Sequence, residues 1–275
     1  MKTVFSQVLQ EWCRVRGGCV VPVAGLWVSR VELPRGHFFV HGYALPLNTA
    51  ASYQLARDKV ATSLVLAAAG VPCVPHRLVM APEVAEAWYG SPRDVTAQLE
   101  ECLEAFGEDL VLKPNHGFGG QDVQRTQSRR EAGEVLAQVL GSARDHAVAP
   151  YIPDAREVRV VLLDEAILCI YEKVRGEDWR HNLARGAQAV PVTDPSLAEA
   201  CGDLARRAAG VLGLRLAAVD LFLTRDGLSV IEVNSGVVLE KMARQLPGGM
   251  DIARRAYGEI LGAVERDLDR LHGSI

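Results

Sequence analysis

The sequence predicts a mixed α/β or α+β fold whose sheets are largely antiparallel. Several short apolar segments follow one another with too few residues between them for a crossover helix. Asp226-Gly227 separates two such segments, as expected for a hairpin turn. Helical periodicity is confined to a few separate segments. A doubly wound parallel sheet, in which a helix follows each strand, is therefore disfavoured.

Apolar periodicity predicts the elements of the first half of the chain, and glycine or proline marks their ends. Residues 2–16 place Val4, Leu9 and Trp12 on one helical face, and Gly17 ends that helix. The other predicted elements are strands over 19–29 and 37–40, a single helix over 50–69, a strand over 71–80, helical segments over 84–105 with a break at 90–92, and a buried strand over 109–114.

The second half is predicted to alternate strands with isolated helices. Pro195 suits the first turn of a helix because its missing N–H has no intrahelical acceptor there. The predicted elements are a strand over 122–126, a helix over 128–140, strands over 146–152, 157–163 and 166–174, a helix over 195–212, strands over 217–224 and 228–234, and helices over 237–245 and 249–271.

Composition narrows the classes of protein. The 275 residues are 49% hydrophobic and 23% charged, which predicts an enzyme-sized globular chain. The net charge of −4 disfavours a general nucleic-acid binder. The six cysteines form no C-x-x-C pair, no signal peptide is recognisable, and no apolar run approaches the roughly 20 residues of a membrane span. We expect a cytoplasmic protein with no nucleic-acid and no membrane partner.

The segment DLVLKPNHGFGGQDVQ predicts a site for a polyphosphate. Lys113 ends an apolar strand, and Asn115, Gly117, Gly119 and Gly120 follow it at once. A glycine-rich loop presents backbone N–H groups to an anion because no Cβ atoms block the approach. The pattern is neither a Walker A loop nor a dinucleotide-binding fingerprint. Taken alone, it is equally compatible with a hairpin turn that carries an exposed lysine.

The segment AAVDLFLTRDGLSVIEVNSG predicts a metal site. Asp220 lies in one strand of a hairpin, and Glu232 and Asn234 lie two residues apart in the other, so they share a face. Oxygen ligands of this kind suit Mg²⁺ bound together with substrate phosphates. A carboxylate buried in an apolar strand is costly without a cation partner. The alternative is a set of ordinary ion pairs at the surface.

Cationic side chains are concentrated between residues 157 and 185. Phosphoryl transfer requires fixed cations around the transferred group, and arginine also suits two-point binding of a carboxylate. The alternative is a solvated basic loop. The polar residues of this segment are Glu157, Arg159, Lys173, Arg180, Asn182 and Arg185.

Taken together, these segments resemble the ATP-grasp superfamily, and most closely its RimK and glutathione-synthetase-like branch of carboxylate–amine ligases. The resemblance extends from about Ala50 to the end of the chain, and the order and spacing of five motifs make it specific. The motifs are ARDKVATSLVLAAAGVPCVPHRLV, VLKPNHGFGGQDV, REVRVVLL, WRHNLARGA and VDLFLTRDGLSVIEVNSG.

The resemblance implies ATP as the nucleotide, Mg²⁺ or alternatively Mn²⁺ as the metal, and a role for each matching residue. Its implied metal ligands are Asp220, Glu232 and Asn234. Its implied substrate and phosphate residues in catalysis are Arg159, Arg180, Asn182 and Arg185. Its implied nucleotide-binding residues are Lys59, Lys113, the flap residues Gly117, Gly119, Gly120 and Gln121, the hinge residues Tyr151 and Ile152, and Glu157.

Three departures from the family pattern limit what the resemblance implies. The hinge reads AVAPYIPD and lacks the usual glutamate, no proline-glycine follows Asn234, and the region before Lys59 is short. The expected fold is an α/β (α+β) ATP-grasp fold. Two α+β lobes bind ATP between them, and a reduced N-terminal lobe precedes them in the chain. The expected divisions are a substrate lobe over 1–58, a central lobe over 59–152 and a C-terminal lobe over 153–275.

The function implied by the resemblance is amide-bond formation between a small carboxylate and an amine, such as an amino acid or a peptide, through an acyl phosphate. Two alternatives stay open: an ATP-grasp phosphotransferase that stops after the first step, and a non-catalytic ATP-binding subunit of a biosynthetic complex. Alternating charges in the last helix are typical of a solvated face, and a homo-oligomeric interface is the alternative use of that face.

Overall fold

The computed structural model describes residues 3–24, 27–117, 121–141 and 145–272. Its helices are Val4–Val15 (α1), Ala50–Arg57 (α2), Lys59–Ala68 (α3), Pro82–Tyr89 (α4), Val95–Phe106 (α5), Arg129–Leu140 (α6), Pro195–Val211 (α7), Glu240–Gln245 (α8) and Gly249–His272 (α9). Its strands are Cys19–Ala24 (β1), Val28–Leu33 (β2), Gly36–His41 (β3), Arg77–Val79 (β4), Leu110–Pro114 (β5), Gln124–Thr126 (β6), His146–Pro150 (β7), Arg156–Leu163 (β8), Ala166–Val174 (β9), Gln188–Pro191 (β10), Leu216–Thr224 (β11) and Gly227–Asn234 (β12).

The strands form three sheets, with orders β1-β2-β3, β4-β7-β5-β6 and β10-β9-β8-β11-β12. Every pairing between these strands is antiparallel. The antiparallel prediction is therefore confirmed, and so is the hairpin of β11 and β12, whose closing pair is Thr224 with Gly227.

The five-stranded sheet has one apolar face and one face of mixed character, because side chains alternate along each strand. Val158, Val160 and Val219 lie on the apolar face and pack in one cluster with residues of α2, α3 and α7. On the opposite face, Val161 and Leu216 pack against α1, α8 and α9 at one end of the sheet. The other end of that face carries charged residues, and the candidate functional site lies there.

Helices α5 and α6 cover one side of the four-stranded sheet. Leu110, Leu112 and Val148 are buried there with residues of α5 and α6. Lys113 pairs in register with Ala147 and points to the opposite side. Backbone hydrogen bonds between Val74 and Val230 tie the segment before β4 to the edge of the five-stranded sheet. The side of the smaller sheet that carries Lys113 faces the charged end of the larger sheet, because the carboxylates there act on the pKa of Lys113.

The N-terminal helix is fastened to the C-terminal part of the chain. The Glu240 carboxylate accepts the backbone N–H groups of Val4 at 2.7 Å and Phe5 at 3.1 Å. The first N–H groups of a helix have no intrahelical acceptor, so this carboxylate supplies one and also complements the helix dipole. The segment that follows β12 is therefore held against α1.

The predicted single helix over 50–69 is wrong, because the chain breaks at Asp58. This residue is extended, with φ −90° and ψ 104°, and its side chain accepts the N–H of Ala61 at 2.8 Å. Aspartate is a favoured residue at a helix N-cap. Lys59 is therefore the first residue of a new helix, which changes the direction in which its side chain can leave the backbone.

Two predicted strands and one helix start also needed correction, and one strand was missed. The continuous strand expected over 19–29 is two antiparallel strands, β1 and β2. The strand expected over 71–80 is reduced to β4, because Pro72 and Pro75 lack the N–H that a ladder needs. Strand β10 was missed, since it has only four residues and ends in proline. The helix expected from residue 237 begins at Glu240.

Candidate functional site

Two buried lysines lie together on one wall of the cleft between the two larger sheets. Lys59 and Lys113 are each 8% exposed. The Lys59 ammonium donates to the backbone carbonyls of Asn115 at 3.2 Å and Gly117 at 3.0 Å. In the described part of the chain, neither ammonium has a carboxylate oxygen within 4 Å. The two lysines therefore concentrate buried positive charge on this side of the cleft, which favours the approach of an anion.

Burial sets the protonation of these lysines. It lowers the pKa of Lys113 to about 8, against the opposing influence of the Glu232 carboxylate. It also lowers the pKa of Lys59. Charge repulsion adds to this, because Lys59 further lowers the pKa of Lys113 and Arg57 further lowers that of Lys59. An incoming polyanion would relieve both the burial cost and this repulsion.

Asn115 holds the two lysine-bearing elements in position. Its Oδ1 accepts the N–H of Val60 at 3.1 Å, and its Nδ2 donates to the Asp145 carboxylate at 3.0 Å. The Asn115 side chain is buried, so these bonds are shielded from water. The start of α3 is thereby fixed against the loop that follows β5. This is what brings Lys59 next to Lys113.

The opposite wall carries the predicted oxygen ligands. Asp220 of β11 lies directly opposite Glu232 of β12 in the antiparallel register. Asn234 is two residues further along the same strand, so all three side chains share one face. The Asn234 amide nitrogen lies 3.5 Å from Asp220 Oδ2. The geometry thus brings the three predicted ligands together.

Two cations from the neighbouring strands hold Asp220. The Arg159 guanidinium donates to both carboxylate oxygens, at 2.7 Å from Nε and 2.5 Å from Nη2. Lys173 of β9 lies 2.8 Å from Asp220 Oδ1 and also pairs with Glu157. Register explains the arrangement, because Asp220 lies opposite Arg159 and Glu157 lies opposite Lys173. The charges alternate along one face of the sheet.

The two carboxylates of this network have opposite pKa shifts. Burial acts to raise the pKa of Asp220, but Arg159 and Lys173 outweigh it and hold the pKa at about 2. Burial raises the pKa of Glu157 to about 7, although Lys173 opposes the shift. Asp220 is therefore a permanent anion, whereas Glu157 titrates near neutral pH.

The hinge between the two larger sheets carries an aromatic cluster. The Arg125 guanidinium lies 3.4 Å from the centroid of the Tyr151 ring and forms a two-point ion pair with Asp109. The Tyr151 hydroxyl accepts from Arg175 at 3.0 Å, and the ring meets Trp179 edge to face at 5.8 Å. Ile152 follows, half-buried. The aromatic ring of Tyr151 is therefore held in place by contacts with Arg125, Arg175 and Trp179.

The remaining predicted residues lie in the loop between β9 and β10. Arg180 pairs with Asp178 and donates to the carbonyl of Val123, which links this loop to the segment after the glycine-rich turn. The Asn182 side chain accepts the N–H of Ala184 at 2.7 Å. Arg185 is exposed. The contact between Arg180 and Val123 thus connects this loop to the segment before β6.

Most predicted site residues converge, and a few do not. Gln121 is exposed, and Gly119 and Gly120 lie outside the described residues. Lys173 and Asn115 were not assigned roles from the sequence, although both sit at the centre of the site. The alternation of AILCIYEKV opposite REVRVVLL was the available signal for Lys173. The residues brought to the cleft are Lys59, Lys113, Gly117, Glu157, Arg159, Asp220, Glu232 and Asn234.

The donor set fits a divalent cation shared with a phosphate ligand. Two carboxylates and an amide, from Asp220, Glu232 and Asn234, are the oxygen ligands that Mg²⁺ prefers. Over the described ranges, no group of three or more His, Cys, Asp or Glu side chains suits a metal held by protein alone. The cation would therefore complete its coordination with ligand oxygens and water.

Comparisons with known proteins agree with this geometry. The RimK-like ATP-grasp domain family matches residues 56–260. A tetrahydromethanopterin:alpha-L-glutamate ligase of Methanocaldococcus jannaschii is 29% identical over 152 residues, which are 51% of this chain and 50% of that protein. A ribosomal protein bS6–L-glutamate ligase of Escherichia fergusonii is 28% identical over 224 residues, which are 80% of this chain and 67% of that protein.

Among solved structures, a D-alanine–D-alanine ligase from Bacillus anthracis, complexed with ATP, has a TM-score of 0.61 at 18% identity. The match covers 82% of this chain and 70% of that one, and it shows a common fold. The chain spans about half the length of the Methanocaldococcus jannaschii relative. None of the helices in the described ranges combines the length and the apolar character that crossing a membrane requires.

Proposed function

The chain belongs to the RimK-like ATP-grasp family and has the α+β ATP-grasp fold, and from this premise we propose that it is an ATP-dependent carboxylate–amine ligase. The reaction joins a carboxylate to an amine through an acyl phosphate and releases ADP and phosphate. The observation that carries the proposal is the pair of buried lysines, which have no carboxylate oxygen within 4 Å in the described ranges and experience the charge of Glu232 from further away.

In this proposal the nucleotide lies between the two larger sheets. Lys59 and Lys113 hold its phosphates, and Tyr151 and Ile152 supply part of the surface for the base, with backbone groups in place of a glutamate side chain. The flap over 117–121 covers the phosphates. The corresponding divisions are a substrate lobe over 1–58, a central lobe over 59–152 and a C-terminal lobe over 153–275.

Asp220, Glu232 and Asn234 would hold Mg²⁺, or Mn²⁺ in its place. When bound, such a cation neutralises phosphate charge and orients the phosphates. Arg159 then stabilises the charge that develops on the transferred phosphoryl group, and Arg180, Asn182 and Arg185 position the carboxylate and amine substrates at the mouth of the cleft. Glu157 supports this arrangement from the neighbouring strand.

The chemistry relies on positioning and electrostatics rather than on a protein nucleophile. An oxygen of the substrate carboxylate attacks the γ-phosphorus and displaces ADP. The amine then attacks the acyl carbon and expels phosphate, which retains the attacking oxygen. The two relatives described above are a tetrahydromethanopterin:alpha-L-glutamate ligase and a ribosomal protein bS6–L-glutamate ligase. An amino acid or peptide is accordingly the proposed substrate class for this chain.

All six cysteines are free thiols, which suits the reducing cytoplasm that we propose as its location. An ATP-consumption screen of the purified protein against paired amino acids and small acids tests the function. Amide product with one ADP per bond supports a ligase, whereas a phosphorylated acid that accumulates in the presence of every amine indicates a phosphotransferase. Mg-ATP binding without turnover in any pair would instead favour a binding subunit.

A further inference from the structure

Lys173 is buried between two carboxylates that belong to different strands. Its side chain is only 6% exposed. The ammonium lies 2.8 Å from Asp220 Oδ1 and contacts the Glu157 carboxylate on its other side. Glu157 is its cross-strand neighbour in register, so this contact is built into the sheet. One ammonium is therefore shared by an anchoring carboxylate and by the proposed metal ligand.

Asp220 is fully engaged by protein donors. Its Oδ1 receives Arg159 Nε at 2.7 Å and Lys173 Nζ at 2.8 Å, and its Oδ2 receives Arg159 Nη2 at 2.5 Å and faces the Asn234 amide at 3.5 Å. A carboxylate has about four lone-pair positions. The carboxylate expected to ligate a cation is thus already neutralised by two cations of the chain.

Glu232 is in the opposite situation. Within the described ranges, no lysine or arginine nitrogen lies within 4 Å of its carboxylate. Its negative charge acts from a distance on Lys59 and Lys113, where it opposes the lowering of their pKa values by burial. The two proposed metal ligands therefore differ: Glu232 is ready to accept a cation, and Asp220 must first be released by its partners.

We propose that Lys173 exchanges partners when the nucleotide binds. In the nucleotide-free chain it neutralises Asp220 together with Arg159. In the nucleotide-bound chain it stays anchored on Glu157 and donates to the anionic oxygens of the reacting phosphoryl group. The inference rests on the proposed function, because it assigns Lys173 to the same site.

The physical basis is charge competition. A divalent cation on Asp220 repels the ammonium of Lys173, and the phosphates that arrive with it attract that ammonium. Before the nucleotide binds, Arg159 and Lys173 already balance the charge of Asp220, so a divalent cation gains little by entering alone. The consequence is that the nucleotide-free protein binds the metal weakly and takes it up with ATP.

Mn²⁺ titration of the nucleotide-free protein, followed by electron paramagnetic resonance, tests the first half of the proposal. Lys173→Met frees one oxygen position of Asp220, so Mn²⁺ affinity is expected to rise by about tenfold, which corresponds to the loss of one nearby positive charge. Glu157→Gln removes the other carboxylate partner of Lys173, so that Lys173 pairs with Asp220 only. The Mn²⁺ affinity is therefore expected to fall. Lys241→Met is the matched control, because this exposed lysine donates to the carbonyl of Leu183, away from the carboxylates.

Opposite shifts in the two variants support the exchange, since a merely structural role would damage the site in the same direction in both. Unchanged or weaker Mn²⁺ binding in Lys173→Met overturns it. Should Lys173→Met fail to fold, the charge-balanced double variant Lys173→Met with Glu157→Gln replaces it. That double variant is expected to bind Mn²⁺ more tightly than Glu157→Gln alone, and equal or weaker binding overturns the proposal.

Steady-state kinetics with ATP test the second half. Lys173→Met is expected to lower kcat by about 100-fold while KM for ATP changes by less than about threefold, because the contact forms with the reacting group. Lys173→Arg is expected to restore most of kcat. A loss confined to KM would overturn the contact with the reacting phosphoryl group. If the Mn²⁺ shifts occur but no amide forms in any substrate pair, the exchange stands and the ligase function fails.

Discussion

Arg159 and Asp220 form a two-point ion pair across the neighbouring strands β8 and β11, with N–O distances of 2.7 and 2.5 Å. The pair lies in the central strands of the five-stranded sheet, opposite Glu232 on the next strand. This position places a cation, a permanent anion and an available carboxylate in one row. The row faces the two lysines across the cleft, so the site has opposite electrostatic character on its two walls.

Replacement of either cleft lysine is expected to weaken ATP binding. A hydrogen bond to a charged group contributes about 1.5–3 kcal/mol, so Lys59→Met and Lys113→Met should each raise the Kd for ATP by about 10- to 100-fold. Isothermal titration calorimetry measures this directly. Lys241→Met, which removes an exposed lysine outside the cleft, should leave the Kd unchanged. Unchanged affinity in both cleft variants would remove the lysines from the nucleotide site.

The pKa of Lys113 predicts a pH dependence of ATP affinity. Burial lowers this pKa to about 8, so the ammonium loses its proton as the pH rises through 8. ATP affinity should therefore decrease between pH 7 and pH 9, and ATP binding near pH 8 should take up protons. Calorimetry in buffers of different ionisation enthalpy measures that uptake.

Two variants test whether Lys113, and not one of its charged neighbours, causes this pH dependence. Those neighbours are Lys59, Glu157, Asp220 and Glu232. Lys113→Arg keeps the positive charge at every pH in this range, so the slope above pH 8 should disappear while affinity persists. Glu157→Gln removes the other group that titrates near neutrality, at about 7, and should leave the slope above pH 8 in place. A slope that survives in Lys113→Arg would assign it to another group.

The helix cap at Asp58 is expected to matter for the site as well as for stability. Asp58→Ala removes the acceptor for the Ala61 N–H and should cost about 1 kcal/mol of unfolding free energy. Because Lys59 is the next residue, KM for ATP should also rise. Asp194→Ala is the matched control, since Asp194 caps α7 in the same way and is not part of the cleft.

Urea denaturation measures the free energy of unfolding of the two cap variants, and steady-state kinetics measure their KM for ATP. Both should lose similar stability, and only Asp58→Ala should change KM. An equal KM in both variants would mean that the cap does not position Lys59.

Tyr151 is expected to contribute to binding of the base. Its ring already stacks with the Arg125 guanidinium, and aromatic stacking on a base contributes about 1–3 kcal/mol. Tyr151→Ala should therefore weaken binding of ATP and ADP by a similar factor, whereas Tyr151→Phe should keep most of the affinity. Fluorescence titration with both nucleotides checks this, and unchanged affinity in Tyr151→Ala would exclude the ring from the base site.

Residue pattern alone predicted the antiparallel class, the hairpin of β11 and β12 and the three oxygen ligands. These features depend on alternation and on a short turn, which are local and periodic. The single helix over 50–69 was wrong for a local reason too: the helical pattern continues through Asp58, and only the cap geometry shows the break. Pattern identifies a helical face but does not distinguish one helix from two with a shared direction.

The contacts of Lys173 and Asn115 could not be predicted from the sequence, for a different reason. Lys173 contacts Asp220, which is 47 residues away in the chain, and Asn115 contacts Val60 and Asp145. Such contacts depend on the order of strands in the sheets. The sequence indicates that β8, β9 and β11 exist, but the order β9-β8-β11 arises from tertiary packing.

The most direct test of the central claim follows an oxygen atom. With a substrate pair found by the ATP-consumption screen, the carboxylate is labelled with ¹⁸O and the released phosphate is analysed by mass spectrometry. Attack by a carboxylate oxygen on the γ-phosphorus predicts one ¹⁸O atom in each phosphate, in step with amide formation, and Glu232→Ala should abolish both. Amide formation with no ¹⁸O in the phosphate would contradict the acyl-phosphate mechanism proposed for this cleft.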